Sequence, residues 1–140
     1  MTRFLGVDYG TKRVGLAISD ALGMTARPLE VVPRGEAVDR VGQLCKEYDV
    51  EMLVVGLPTG LGGSEGDAAT AARELGEELS STTGVPVVFV DERFTSRMAE
   101  SVLLGSGMRR RRRRETVDKV AAAIILQSFL DGRAGNSEKA

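Results

Sequence analysis

The 140-residue chain contains no histidine and no tryptophan, a single cysteine, and only 4% aromatic residues. Without histidine, hydrolysis through a Ser-His or Cys-His pair is excluded, and the commonest transition-metal ligand is missing. Catalysis in such a chain falls to carboxylates, lysine, hydroxyls, or a hard cation held by carboxylates. Cys45 forms no intramolecular disulfide, and no cysteine cluster offers a zinc site. It falls on an apolar helical stripe and is expected to be a buried structural thiol. Scarce aromatics leave little material for base-stacking platforms. Long apolar runs are absent too. The longest, Val120 to Leu126, is far too short to span a bilayer. The N-terminus enters a strand without the basic start and apolar run of a signal peptide. These absences predict a cytoplasmic protein with no membrane partner.

What is present is an ordinary globular composition, 42% hydrophobic and 28% charged, sufficient for one domain with a proper core. The domain is expected over 1–133, with 134–140 a polar, disordered tail. The net charge of −1 hides an asymmetry: six consecutive arginines, Arg109 to Arg114, stand in an otherwise acidic chain. That block is a stronger clue to a partner than the total.

The stretch from Gly6 to Asp20 organises the chain. Leu5 and Val7 alternate with Gly6 and Asp8, the period-2 pattern of a strand with two distinct faces. Asp8 thus closes a strand at the start of a tight turn, where a carboxylate is both rigid and reachable. Gly10 supplies the backbone freedom of the turn, and Gly15 lets a neighbour approach the second strand closely. Strands are predicted over Arg3 to Asp8, Val14 to Ser19 and Arg27 to Val32, with Pro28 suiting an edge. A helix from about Glu36 to Tyr48 presents Val38, Val41, Leu44, Cys45 and Tyr48 on one face. Met52 to Val55, ending in Gly56, reads as a central strand buried on both sides. Ser64 with Asp67 resembles a capping box opening a helix to about Ser81, with Ala68, Ala72, Leu75 and Leu79 inward. Val87 to Val90 is the fifth strand. A short helix capped by Thr95 or Ser96 runs to Leu104, and the arginine block follows as a linker. The last helix spans Glu115 to about Asp131, with Val117, Val120, Ala121, Ile124 and Ile125 on its apolar stripe and Gly132 as its stop. The order β-β-β-α-β-α-β-α-α implies an α/β fold. Three antiparallel strands and two crossover-linked strands make a mixed five-stranded sheet flanked by helices, an order that suits a ribonuclease H-like fold.

Three carboxylates occupy comparable places: Asp8 ending the first strand, Glu92 just after the last, and Asp118 in the first turn of the final helix. Ligands of α/β sheets bind beyond strand ends, so Asp8 and Glu92 converge if their strands are parallel neighbours. Asp118 lies beside Val117, at the edge of the buried stripe, and a carboxylate there needs a partner. A divalent cation is one candidate. An ion-pair network with Arg13 and Arg93 is another, and for Asp118 the helix dipole is a third. Asp91 rivals Glu92, but neighbours on a strand point to opposite faces, so only one readily joins a common site.

Four blocks resemble a known family over nearly the full length: G-V-D-Y-G-T-K-R-V-G-L-A-I-S-D at Gly6 to Asp20, V-G-L-P-T-G-L-G-G-S-E-G at Val55 to Gly66, D-E-R-F-T-S-R-M-A at Asp91 to Ala99, and V-D-K-V-A-A-A-I-I-L-Q-S-F-L at Val117 to Leu130. In this order they resemble the YqgF (RuvX-type) family of bacterial proteins, associated with pre-16S rRNA maturation and similar to Holliday junction resolvases. The resemblance implies a ribonuclease H-like fold and metal-dependent cleavage of phosphodiesters. Its acidic positions fall on Asp8, Glu92 and Asp118, which would hold Mg2+ or Mn2+, two ions in all. The chain departs from the family at Gly60 and Gly62, where a polar pair is usual, which leaves two readings of the 59–63 loop open, a lining of the substrate groove and a plain strand-to-helix connection.

Arginine makes bidentate contacts to phosphate. Arg109, Arg110, Arg111, Arg112, Arg113 and Arg114 are therefore expected to clamp a nucleic-acid backbone, giving salt-sensitive affinity without sequence reading. Lys12, Arg13 and Arg93 lie near the site and either meet phosphate or pair with a carboxylate. The leading expectation is an endonuclease processing the 5′ end of pre-16S ribosomal RNA in ribosome biogenesis, with pre-rRNA, on the pre-ribosomal small subunit, as partner. The alternatives are a resolvase of four-way DNA and a non-catalytic nucleic-acid-binding assembly or transcription factor. An ATPase of the actin and sugar-kinase type shares Asp8-Tyr9-Gly10-Thr11 but needs two such domains around its nucleotide. No obvious apolar face is left for a dimer, so a monomer or weak homodimer is expected.

Overall fold

The computed structural model describes residues 3–10, 12–57, 67–91 and 110–139. Along the chain run β1 (Arg3–Asp8), β2 (Arg13–Ser19), β3 (Ala26–Pro33), a 3-10 turn (Arg34–Glu36), α1 (Ala37–Tyr48), β4 (Val50–Leu57), α2 (Asp67–Thr83), β5 (Val87–Asp91) and α3 (Arg110–Lys139). The strands form one sheet of order β3-β2-β1-β4-β5. β1 to β3 are joined antiparallel, and β1, β4 and β5 run parallel. This is the expected mixed five-stranded sheet. Pro28 and Pro33 both lie on β3 at the edge, where a missing N–H costs no ladder bond.

Alternation along the strands divides the core between two faces. Leu5, Val7, Leu53 and Val55 pack under α1 and α2 with Val41, Leu44 and Leu79. Phe4, Ala17 and Val54 pack under α3 with Ala122, Ile125, Leu126 and Leu130. The approach of α3 to β1 depends on Gly6. A Cβ there would stand 2.8 Å from the Ala122 carbonyl oxygen and 2.9 Å from Leu126 Cβ, so helix backbone rests directly on strand backbone. Cys45 is buried on α1 as expected, and burial pushes its thiol up to about 11.

Several expectations need correction. β1 and β5 are parallel but not neighbours, because β4 lies between them. The arginine run is not a linker: Arg110 to Arg114 form the first turns of α3, in keeping with arginine's good helix propensity. Gly132 does not stop α3, and the backbone of 134–139, expected as a tail, continues the helix to Lys139. Glycine in an exposed helix interior costs only about 1 kcal/mol relative to alanine. The buried stripe of α3 is rotated from the expected one. Ala121, Ala122, Ile125, Leu126 and Leu130 are buried, while Val120 and Ile124 are half-buried, because the close contact at Gly6 selects Ala122 and Leu126. On α2 Ala69 is buried along with the expected Ala72, Leu75 and Leu79, and the Ala68 side chain lies outside the described residues. The short helix expected over 95–104 and the 58–66 loop lie outside the described residues.

Candidate functional site

Asp8 is the last residue of β1, the central strand, and is 7% exposed. Its register partners are Gly15 on β2 and Gly56 on β4. Gly56 in turn stands beside Val90 on β5. Residues in register share a face, so Asp8 occupies a row with no side chain on either neighbouring strand. That lane is what a cation or a phosphate needs to come alongside a carboxylate.

Phe4, Gly6 and Asp8 alternate onto the α3 face, and the helix descends past them antiparallel to β1. Phe129 meets Phe4 edge-on at 5.7 Å between ring centroids, and Ala122 and Leu126 cover Gly6. Asp118 precedes Ala122 by one helical turn, a rise of about 6 Å. Gly6 to Asp8 spans a similar distance along the strand, roughly 6.6 Å. The backbone of Asp118 therefore reaches the level of Asp8, on the helix covering its face. The Asp118 side chain lies outside the described residues, as do Glu92 and Arg93. Val90 stands level with Asp8 two strands away, roughly 10 Å. Val88 and Val90 pack toward α3, so Asp91, exposed at the end of β5, alternates to the other face. Among the described residues no three His, Cys, Asp or Glu side chains gather as a metal group.

The basic residues divide. Lys12 is exposed in the β1–β2 turn and Arg13, half-buried, opens β2. Neither Asp8 nor Arg13 lacks an interaction partner. Arg110 to Arg114 begin α3, eight to four residues before Asp118, while Arg109 lies outside the described residues. The turn itself is tight: a Cβ on Gly10 would clash with the Arg13 carbonyl oxygen. It is tied from outside by Arg34, which had no signal in the sequence. The Arg34 N–H donates to the Lys12 carbonyl at 3.0 Å, and its guanidinium lies over the Tyr9 ring, 5.3 Å from the centroid.

A family model described as "RuvX: Holliday junction resolvase" matches residues 2–132. The chain belongs to the RuvX family. Among curated relatives, a protein of Lactococcus lactis subsp. lactis named "Putative pre-16S rRNA nuclease" is 46% identical, over 94% of this chain and 96% of its own. One of Bacillus thuringiensis with the same name is 42% identical, over 94% and 99%. Among solved structures, Thermus thermophilus RuvC in complex with a Holliday junction aligns with a TM-score of 0.56 at 20% identity, covering 96% of this chain and 97% of its own. The fowlpox virus Holliday junction resolvase aligns with a TM-score of 0.53 at 12% identity, covering 94% and 99%. These likenesses show the fold, which is ribonuclease H-like.

In this RuvX-family chain the one described acidic site residue fits a hard cation. Asp8 offers oxygen donors, Mg2+ and Mn2+ take them, and the glycines beside it leave the space. Among the described residues no helix is long and apolar enough to cross a membrane.

Proposed function

We propose that this chain is a divalent-metal-dependent endonuclease that hydrolyses phosphodiester bonds and processes the 5′ end of pre-16S ribosomal RNA in the cytoplasm, as a monomer or weak homodimer. The observation that carries the reading is the placement of Asp8. It ends the central strand, in a lane bounded by Gly15 and Gly56, under the helix whose backbone carries Asp118 to its level. By sequence parity Val88, Val90 and Glu92 would share one face of a strand. Asp8, Glu92 and Asp118 would then hold Mg2+ or Mn2+, two ions in all. When bound, such ions activate water and stabilise the departing oxygen, the two tasks a chain without histidine cannot assign to an imidazole.

The remaining tasks belong to the basic residues. Lys12 and Arg13 sit at the Asp8 end of the sheet, where they would hold phosphates beside the bond to be cut, together with Arg93. Arg109 and the arginines opening α3 would grip the backbone further out, adding affinity but no sequence reading. In the hydrolysis, an oxygen of water joins phosphorus, the phosphorus–oxygen bond to the next nucleotide breaks, and the departing oxygen leaves with a proton. RNA as the substrate is supported by the names of the 42–46% identical relatives. A second reading, cleavage of four-way DNA junctions, is favoured by the description of the family model.

The test offers the purified protein a 5′-extended 16S precursor fragment and a four-way DNA junction, each with Mg2+, with Mn2+ and with chelator. Metal-dependent cleavage of the RNA alone is expected. Cleavage of the junction alone makes the resolvase reading correct. Salt-sensitive binding of both without cleavage makes the chain a binding protein.

A further inference from the structure

We propose that Arg34 is a positioning residue for the site, acting through Tyr9 on the turn that carries Asp8 and Lys12. The proposal rests on the metal-nuclease reading above and deepens it. Asp8 faces α3, and Tyr9, its neighbour, turns to the opposite face, where it is 9% exposed and packs with the α1/α2 core. The ring is therefore an anchor for the residue before it. Arg34 closes that anchor from outside, with its guanidinium 5.3 Å from the ring centroid, within the range of a cation–π contact. Its backbone grips the same turn at the other end, through the 3.0 Å bond to the Lys12 carbonyl. Both ends of the turn between Asp8 and Arg13 are thus held by one residue at the β3–α1 corner.

The surroundings argue that the contact is made for the ring. Arg34 lines a cleft of about 560 Å³ with Asp39, Glu74 and Glu78. Among the described residues it forms no salt bridge with any of the three. A guanidinium with three carboxylates in its cleft that stacks on a buried tyrosine instead couples that tyrosine to the corner. Removal of the side chain leaves the backbone bond and the fold in place but frees the Tyr9 end of the turn. The Asp8 carboxylate then samples more orientations, and an ion held by it is bound less tightly.

The test compares wild type with Arg34→Ala, Arg34→Gln and Arg34→Lys by two readouts independent of cleavage. Amide hydrogen exchange follows the peptide covering 9–15, and electron paramagnetic resonance of free Mn2+ gives the half-saturation concentration. In Arg34→Ala and Arg34→Gln exchange should quicken and half-saturation rise about two- to five-fold, the size of one exposed cation–π contact. Arg34→Lys, which keeps a cation over the ring, should recover most of both. Unchanged Mn2+ binding in Arg34→Ala overturns the proposal, even if exchange quickens, and leaves the metal-nuclease reading intact. Equal defects in the lysine and alanine variants overturn it as well. A wild type that takes up no Mn2+ overturns the metal-nuclease reading itself, and the proposal with it.

Discussion

At the scale of single residues, the fold places its demands on a few positions with opposite needs. Gly6 must stay without a side chain because α3 backbone rests on it. Gly6→Val should destabilise the domain by about 1–3 kcal/mol, the cost of overpacking a filled contact, read as a lower midpoint in urea. Cys45 makes a different demand. Burial raises its thiol from 9.0 to about 11, so the folded protein favours the protonated form. Below about pH 9 both states hold that proton and the thiol adds no pH dependence. Between about 9 and 11 the unfolded chain gives up the proton first, and stability falls by about 3 kcal/mol at most. Denaturation across that window should show the slope in wild type and lose that part of it in Cys45→Ala. Slow labelling of the native thiol at neutral pH follows from the same burial.

At the scale of elements, local pattern and long-range packing were legible to different degrees. The alternation of Leu5 and Val7 with Gly6 and Asp8 placed β1 at its observed bounds, and the stripe Val41, Leu44 and Cys45 placed α1. Where a contact comes from elsewhere in the chain, the sequence was silent. The rotation of α3 depends on Gly6, more than a hundred residues away, and the tie of Arg34 to Tyr9 joins two turns that no local rule pairs. As a block of like charges the arginine run suggests a linker, yet helix propensity and continuity with the Ala121–Leu130 stretch prevail. Glu92 lies outside the described residues, and only its position in the sequence speaks for it. Two predictions belong here. Gln127 on α3 accepts from the Ala26 N–H at 2.8 Å and donates to the Met24 carbonyl at 3.0 Å, pinning the β2–β3 hairpin. Gln127→Ala should cost about 1–2 kcal/mol, two ordinary hydrogen bonds, with faster amide exchange at 24–26. Replacing Arg110 to Arg114 by glutamine keeps good helix formers and removes five cations. Affinity for RNA should fall, and the slope of log affinity against log salt should flatten by about 0.7 for each phosphate that the variant no longer neutralises.

At the scale of the whole molecule, one sheet has two uses. Its lower half, under α1, α2 and α3, is closed core. Its upper edge, at the carboxyl end of β1, β4 and β5, gathers Asp8, the glycine lane and the start of the arginine helix. This division follows from the topology: parallel β1, β4 and β5 send their carboxyl ends to one side, and α3 crosses that side with the turn at Asp118 level with Asp8 and its arginines beyond. The central claim is that Asp8, Glu92 and Asp118 act together in metal-dependent phosphodiester hydrolysis. The most direct measurement is single-turnover cleavage of the 5′-extended 16S precursor in Mg2+ by wild type, Asp8→Asn, Glu92→Gln and Asp118→Asn, with RNA binding measured in parallel. The account predicts that each substitution lowers the cleavage rate at least about a hundredfold, while each variant still binds RNA through its arginines. Cleavage at the wild-type rate by any one of the three would contradict it.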